Sequence, residues 1–215
     1  MYIFQIDRYL LKKQIKNFSS FITGKVLDIG AGNVSRYEKL FSSNEYLKMD
    51  VFKGDNIDFV GTADNIPIND SEFDSVVCTQ VFEHLKNPRK SAREIYRILK
   101  KGGYCLVTVP QINELHEEPN DFFRYTKYGI EYIFKKEGFA VIEYDQRGGF
   151  FVSGVQMFSR YFIDRFKLYN KKILGRLFSY IFKIIGFIAL FLDKIDRSKA
   201  NKKHALGWIF ILKKQ

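Results

Sequence analysis

The chain has little cysteine, with only Cys78 and Cys105 among its 215 residues. Each lies in an apolar stretch typical of a strand, where cysteine acts as a small buried side chain. Two such residues predict buried thiols in a reducing compartment. They argue against a disulfide-stabilised secreted domain and against a cysteine metal site.

The first 18 residues lack the uninterrupted apolar segment and the small-residue cleavage site of a secretory signal peptide. Charged side chains recur throughout them instead. Together with the unpaired thiols, this pattern predicts a cytoplasmic protein. A peripheral position on the inner face of the membrane is the alternative that the C-terminal third suggests.

Acidic residues become scarce after residue 150, where 3 of them stand against 14 lysines and arginines. Residues 1–150 hold 21 residues of each sign, so the last third carries the whole net charge of +11. A basic segment rich in aromatic residues suits anionic lipid, nucleic acid or an acidic protein partner.

Strand and helix patterns alternate over residues 1–150, which predicts an α/β sheet with helices on both faces. The predicted strands are 25–29, 46–50, 57–61, 73–79, 104–109 and 139–144, and the predicted helices are 4–18, 34–41, 88–99 and 126–137. Gly102 and Gly103 are expected to end the third helix. Two long helices (155–172 and 173–192), a polar linker (197–203) and a final strand (206–212) follow. The domains expected are a core (1–150), a helical insertion (151–203) and the last strand of the core (204–215).

The most informative segment is VLDIGAG at residues 26–32. Its apolar run predicts a buried parallel strand that ends in Gly30 and Gly32, where glycine permits a sharp turn and a close approach of a ligand to the backbone. A dinucleotide fingerprint would place a third glycine where Ser35 stands. Asp28, inside the strand, is a second departure from that fingerprint.

Further motifs follow in a fixed order. Asp50 closes the second predicted strand, where a carboxylate can accept hydrogen bonds from both ribose hydroxyls of a nucleoside, although a solvated acid is the alternative. Then come GTADNIPI (61–68), FDSVV (73–77), VFEHL (81–85) and ILKKGG (98–103). Over residues 25–110 this order resembles the class I S-adenosylmethionine-dependent methyltransferases, in the family related to the ubiquinone and menaquinone methylases.

The resemblance implies a Rossmann-like α/β fold, a seven-stranded sheet with its last strand antiparallel, and S-adenosylmethionine as cofactor. It places Gly30 and Gly32 beside the methionine part, Asp28 on water or the amino group, and Asp50 on the ribose. It places Asp64 on the adenine amino group, the Asn65 backbone N–H on the ring, and Gln80 on the sulfonium side. In this family the Glu-His pair, here Glu83 and His84, shapes the site, with direct chemistry by His84 as the alternative. No metal site is predicted.

The segment HEEPNDFFRYT (116–126) follows the fifth strand, where the methyl acceptor enters in this fold. It resembles a stretch from a branch of these enzymes that modifies sugars or polysaccharide precursors. His116 is the candidate base, since neutral imidazole can take a proton from a hydroxyl, and Arg124 and Tyr125 would orient the acceptor. The structural alternative is an Arg124–Asp121 ion pair that pins the loop, with Thr126 capping the next helix.

Residues 173–192 have about the length of a membrane span. Arg176 and Lys183 lie within them and, with Ser179, Tyr180 and Gly186, are predicted to form one polar stripe on an apolar helix. Charge inside the segment favours a helix lying in the membrane interface over a span. A lid over the substrate site or a homodimer face is the main alternative. Nucleic-acid binding is the weakest, since no RNA-binding motif is present.

These observations predict O-methylation of a small-molecule, sugar or lipid-linked glycan acceptor near the membrane surface. The alternatives are an RNA or protein methyltransferase that docks its substrate on the basic tail, and a catalytically silent cofactor-binding scaffold.

Overall fold

The structure, a computed structural model, describes residues 2–34 and 36–215. The strands are β1 Thr23–Ile29, β2 Ser42–Asp50, β3 Phe59–Val60, β4 Phe73–Thr79, β5 Leu99–Pro110, β6 Phe139–Arg147 and β7 Gly207–Lys214. The α-helices are α1 Ile6–Asn17, α2 Pro88–Ile98, α3 Lys127–Lys136, α4 Phe150–Arg165, α5 Lys172–Ile195 and α6 Lys199–Lys202.

The strands form one seven-stranded sheet in the order β3-β2-β1-β4-β5-β7-β6. The first five pair in parallel, whereas β7 runs antiparallel to both of its neighbours. This arrangement confirms the predicted fold class. Strands β2 and β3 are added on one side of β1, and β4 and β5 on the other, so the strand order switches between β1 and β4 and a ligand crevice is expected at their carboxyl ends.

Both faces of the sheet are buried by helices. Successive residues of a strand point to opposite faces, so neighbouring residues pack against different helices. In β1, Val26 packs in a cluster with Leu11 and Ile15 of α1, and Leu27 in a cluster with Ile95 of α2. The carboxyl edge between these two layers therefore holds the polar residues that follow each strand.

The predicted helix over residues 34–41 is wrong. The described part of this connection has only a 3₁₀ turn, Glu38–Leu40. Because Thr23 pairs with Ser42, the chain must return from Ile29 along the whole of β1, about 20 Å at about 3.3 Å per residue. An eight-residue helix covers only about 12 Å. Ser35, which stands in the position of the missing third glycine, lies outside the described residues.

Gly102 and Gly103 were predicted to end a helix, and this prediction is wrong, because both lie inside β5. The helix α2 ends at Ile98, and Leu99 already pairs with Phe73 of β4. A Cβ on Gly103 would lie 2.9 Å from the Asp74 carbonyl oxygen, so glycine permits close contact between strands here.

The helices α4 and α5 pack together and against α1. The inward face of α5 consists of Gly175, Phe182, Gly186 and Ala189. The predicted polar stripe is therefore divided: Ser179 accepts a hydrogen bond from the Phe4 backbone and faces inward with Gly186, whereas Arg176, Tyr180 and Lys183 are exposed.

The insertion joins the core through its polar ends. Asp193 of α5 accepts hydrogen bonds from the Gly149, Phe151 and Val152 backbone N–H groups at the start of α4. Asn201, in the segment predicted as a linker, accepts one from Phe150 and lies in the short helix α6. These bonds fix the start of α4 next to the carboxyl end of β6.

Candidate cofactor and acceptor sites

The glycine turn after β1 is tight on one side and open on the other. Gly30 and Gly32 have φ angles of +71° and +62°, in the left-handed region that favours glycine. A Cβ on Gly30 would lie 2.4 Å from Cγ2 of Val81, whereas one on Gly32 would meet no described atom within 4 Å. The turn therefore leaves room for a ligand beside the Gly32 backbone.

Asp50 connects this turn to the end of β2. Its Oδ2 accepts a hydrogen bond of 3.0 Å from the Gly32 N–H, and its Oδ1 one of 3.1 Å from the Phe52 N–H. Each carboxylate oxygen keeps a further lone pair. The half-buried carboxylate is thus held at the crevice with acceptor capacity for a ribose diol.

Asp28 is a buried carboxyl beneath the turn. It is 4% exposed, and Tyr46 donates a hydrogen bond of 2.8 Å to its Oδ2. Burial raises the pKa of Asp28 to about 7, although the Tyr46 hydrogen bond opposes the shift. A cationic ligand group beside this carboxyl would favour its ionised form.

Gln80 directly follows β4 and has a φ of +54°, a strained value for a residue with a side chain. Such a conformation costs about 1–3 kcal/mol and is concentrated at functional sites. The side-chain Nε2 of Gln80 donates to Thr108 Oγ1 at 3.1 Å, which fixes the side chain at the switch point.

Asp64 and Asn65 lie in the turn after β3. The Asn65 backbone N–H donates to the Thr62 carbonyl at 3.0 Å, and Asp64 Oδ2 lies 3.9 Å from Lys90 Nζ. The N–H that the resemblance assigns to the adenine ring is therefore already used within the turn. The role of both residues stays a prediction.

Arg124 holds the loop that follows β5. Its guanidinium bonds both oxygens of Asp121, at 2.6 and 2.7 Å, and donates to the Glu114 carbonyl at 2.7 Å. The Arg124 hydrogen bond lowers the pKa of Asp121 to about 2. These contacts match the structural alternative, in which the ion pair pins the loop.

Tyr125 also supports the loop from within. The side chain is buried, its hydroxyl donates to the Phe82 carbonyl at 3.0 Å, and burial raises the pKa of Tyr125. The predicted role of Arg124 and Tyr125 in orienting an acceptor gains no support from these contacts. Thr126 caps α3, as predicted, by accepting from the Gly129 N–H.

His116 is fixed by its Nδ1 side. That nitrogen lies 3.1 Å from the Glu114 carbonyl oxygen and 3.3 Å from Asp121 Oδ2. Because a carbonyl can only accept, Nδ1 carries the hydrogen, and in the neutral ring Nε2 has the free lone pair. The ring meets that of His84 edge to face, with centroids 4.9 Å apart.

Glu83 is a functional candidate that the sequence analysis left in a shaping role. It is fully buried, and neither carboxylate oxygen has a hydrogen-bond partner within the described chain. Burial raises the pKa of Glu83 to about 8. Its position in the Glu-His motif after β4 was the available signal.

Arg147, at the end of β6, was missed entirely. It is 1% exposed, its Nε lies 2.6 Å from Asp7 Oδ1, and its Nη2 lies 3.4 Å from Gln80 Oε1. Through these two contacts Arg147 joins Asp7 of α1 to Gln80 at the switch point. Residues so far apart in sequence leave no local pattern that could have predicted it.

Comparisons with known proteins agree with this geometry. The family model described as a methyltransferase domain matches residues 26–107. The uncharacterized protein MJ0638 of Methanocaldococcus jannaschii is 32% identical over 141 residues, which cover 62% of this chain and 61% of that protein. The uncharacterized methyltransferase C25B8.09 of Schizosaccharomyces pombe is 35% identical over 98 residues, covering 40% and 39%.

Among solved structures, phosphoethanolamine N-methyltransferase 2 of Haemonchus contortus, in complex with S-adenosylmethionine, has a TM-score of 0.55 at 20% identity. The superposition covers 97% of this chain and 52% of that one. The chain spans little more than half the length of the first curated relatives that it matches. Residues 26–107 match a methyltransferase domain, and the sheet order and glycine turn agree with the class I S-adenosylmethionine-dependent methyltransferase fold.

Proposed function

We propose that this protein transfers a methyl group from S-adenosylmethionine to an oxygen of an acceptor that binds against residues 111–126. The observation that carries the proposal is the free Nε2 lone pair of His116, on the loop beside the carboxyl edge of the sheet. An acceptor hydroxyl can donate a hydrogen bond to that nitrogen and pass its proton to it as the oxygen takes the methyl group, with S-adenosylhomocysteine as the other product.

The residues at the crevice fit the cofactor. When bound, S-adenosylmethionine supplies a methyl group on a cationic sulfur, already activated for displacement. Asp28 offers a buried carboxyl for a cationic group, and Asp50 offers acceptor oxygens for the ribose. The open space beside Gly32 admits the methionine part next to the backbone.

The direct test is to supply the purified protein with methyl-labelled S-adenosylmethionine and fractionated cell extract. Label in a glycan, lipid or small-molecule fraction is expected. Label in an RNA or protein fraction, lost on nuclease or protease treatment, would support the rival enzyme class. Retained cofactor binding with no label in any fraction would support a silent scaffold.

His116→Asn is expected to lower turnover about tenfold, the cost of about one hydrogen bond to the acceptor, with cofactor affinity unchanged. Initial rates and calorimetry measure the two quantities. His204→Asn is the control, since His204 lies between α6 and β7, against Phe150. Wild-type rates for His116→Asn would assign that residue to loop structure alone.

The insertion contacts the acceptor loop directly. Arg160 of α4 forms an ion pair with Glu114, whose carbonyl accepts from Arg124 and lies beside His116 Nδ1. A ligand that moves α4 would therefore move the loop. This contact supports an acceptor that reaches the site along the insertion.

We also propose that the outward face of α5 lies on an anionic membrane surface. Among the described helices α5 is the one whose length and composition would allow it to cross a membrane, but its inward face packs on α1 and α4. Its outward face exposes large apolar side chains: Ile173, Leu177, Ile181, Ile184, Ile188, Phe191 and Ile195. Along one edge, at helical spacing, run Lys172, Arg176, Lys183 and Lys194.

This combination favours lipid over the other occupants. An apolar stripe bordered by lysine and arginine suits the headgroup boundary of an anionic bilayer. In a two-fold dimer the same face would meet itself, so like charges would approach one another. A lid would need this face to turn toward the sheet, whereas the opposite face of α5 already packs on α1 and the residues before it through Phe182 and Gly186.

The double variant Ile184→Asp, Ile188→Asp is expected to reduce cosedimentation with phosphatidylserine-containing vesicles about tenfold, because two charged side chains replace apolar ones at the interface. Tyr132→Asp, an exposed aromatic on α3, is the matched control and should pellet like the wild type. The wild type should bind vesicles of neutral lipid more weakly than vesicles that contain phosphatidylserine. A wild-type protein that never pellets but sediments as a dimer would replace the lipid surface with a second copy.

A further inference from the structure

We propose that Glu83, His84 and His116 form a binding site for a divalent transition-metal ion, referred to below as the His-Glu site. One potential ligand atom from each residue lies within 4.8 Å of the other two. Nitrogen and oxygen ligands of a tetrahedral zinc ion lie about 2.0–2.2 Å from the metal, and so roughly 3.4 Å from one another. Small side-chain rotations would close the difference.

The buried carboxylate points to a ligand independently of this spacing. Glu83 is fully buried, and both of its oxygens lack a hydrogen-bond partner in the described chain. An ionised carboxylate that is buried without a partner costs several kcal/mol, so such a group is paired, bound to a metal or protonated. The Oε1 atom lies 4.0 Å from His84 Nε2, the adjacent candidate ligand.

Both histidines already have the outer contacts that metal ligands use. His84 Nδ1 lies 2.7 Å from the Asn120 carbonyl oxygen, and His116 Nδ1 lies 3.1 Å from that of Glu114. Each Nδ1 therefore donates its hydrogen to a backbone carbonyl and leaves the Nε2 lone pair free. Histidine ligands of metals are oriented in this way, through a hydrogen bond from the second ring nitrogen.

The ligand types define the class of ion. Two imidazoles and one carboxylate suit zinc, cobalt or iron(II), whereas magnesium and calcium prefer an all-oxygen shell. Glu117 Oε2 lies 3.9 Å from His84 Nε2 on an exposed side chain and can approach as a fourth ligand. When Glu117 stays away, the three ligands leave one position of a tetrahedral ion open to solvent or to an acceptor oxygen.

Metal binding itself does not depend on the proposed function, and only its role in catalysis rests on it. An ion in the His-Glu site would take the place of the direct hydrogen bond between an acceptor hydroxyl and His116. The site lies on the acceptor loop and on the turn after β4, whereas Asp28 lies in β1 and Asp50 ends β2. The ion would therefore select acceptors with an oxygen donor and leave cofactor affinity unchanged.

The test uses the full chain, stripped with a chelator and titrated with cobalt(II) and zinc(II). We expect one equivalent of cobalt to give visible absorption bands of a nitrogen- and oxygen-ligated ion, and zinc to displace it. Glu83→Gln, His84→Asn and His116→Asn should each weaken binding by about 100-fold, since each removes one of three ligands. His204→Asn, the control, should bind like the wild type.

A measurement without substitution covers variants that fail to fold. In protein labelled with ¹⁵N-histidine, zinc should shift the Nε2 resonances of His84 and His116 and leave those of His204 in place. No saturable binding of either ion, or equal shifts for all three histidines, would overturn the metal site. Methyl transfer that persists after chelation would leave the proposed function standing without the ion. Metal binding with no methyl transfer would leave the metal site standing without the proposed function.

Discussion

Asp50→Ala is expected to weaken binding of S-adenosylmethionine by about 1–3 kcal/mol, the range for losing hydrogen bonds to a charged group. The substitution removes the acceptor for the ribose hydroxyls. It also releases the Gly32 and Phe52 N–H groups, which the carboxylate holds at 3.0 and 3.1 Å, so the glycine turn loses its tie to β2. Calorimetry on the purified protein measures the change.

Asp55→Ala is the matched control, because Asp55 is an exposed acid in the same loop after β2. It should bind the cofactor like the wild type. Asp50→Asn should fall between the two, since an amide keeps one acceptor oxygen but loses the charge. Unchanged affinity in Asp50→Ala would remove Asp50 from the cofactor site.

The order of motifs predicted the sheet because each one lies where a strand ends. Asp28 lies in β1, Gly30 and Gly32 lie in the turn that follows it, Asp50 ends β2, and Gln80 follows β4. Adjacent parallel strands bring their carboxyl ends to one edge, so local patterns were enough to place these residues. The structure adds the contacts, such as the bond from Gly32 to Asp50, that the motifs cannot specify.

The errors came from constraints that a local pattern does not contain. Residues 34–41 have helical composition, but the return along β1 to the start of β2 leaves their described part with only a 3₁₀ turn, Glu38–Leu40. Gly103 resembles a helix end, yet it lies where β5 approaches the backbone of β4. In both places the distance to another strand decided the conformation over the propensity of the segment.

The acceptor loop shows a different limit of what can be predicted from the sequence. The HEEPNDFFRYT motif indicated the loop correctly, but the side chains divide between structure and ligand: Arg124 and Tyr125 bind the chain, and His116 keeps one nitrogen free. Which role a polar residue takes depends on burial and on partners distant in sequence. The same reason hid Arg147, whose partners Asp7 and Gln80 lie 140 and 67 residues away.

Cofactor affinity is expected to fall about tenfold for each pH unit below 7, or about 100-fold between pH 7 and pH 5. Burial raises the pKa of Asp28 from 3.8 to about 7 in the cofactor-free protein, and a bound cationic group favours the ionised carboxylate. Below pH 7, binding must therefore release a proton from Asp28. Calorimetry in two buffers of different ionisation enthalpy detects that proton directly.

The same shift has a consequence for stability with the opposite sign. Between pH 4 and pH 7 the folded, cofactor-free protein keeps the Asp28 proton while the unfolded chain loses it, because the pKa rises from 3.8 to about 7 on folding. The free energy of unfolding should therefore fall as pH rises through this window, by up to about 4 kcal/mol. Asp28→Asn should abolish the slope in cofactor affinity and reduce the slope in stability, leaving the part that Glu83 contributes because burial raises its pKa to about 8. Tyr46→Phe should move both midpoints to higher pH, because the Tyr46 hydroxyl donates to the ionised carboxylate. A pH-independent affinity in the wild type would show that the cationic part of the cofactor binds away from Asp28.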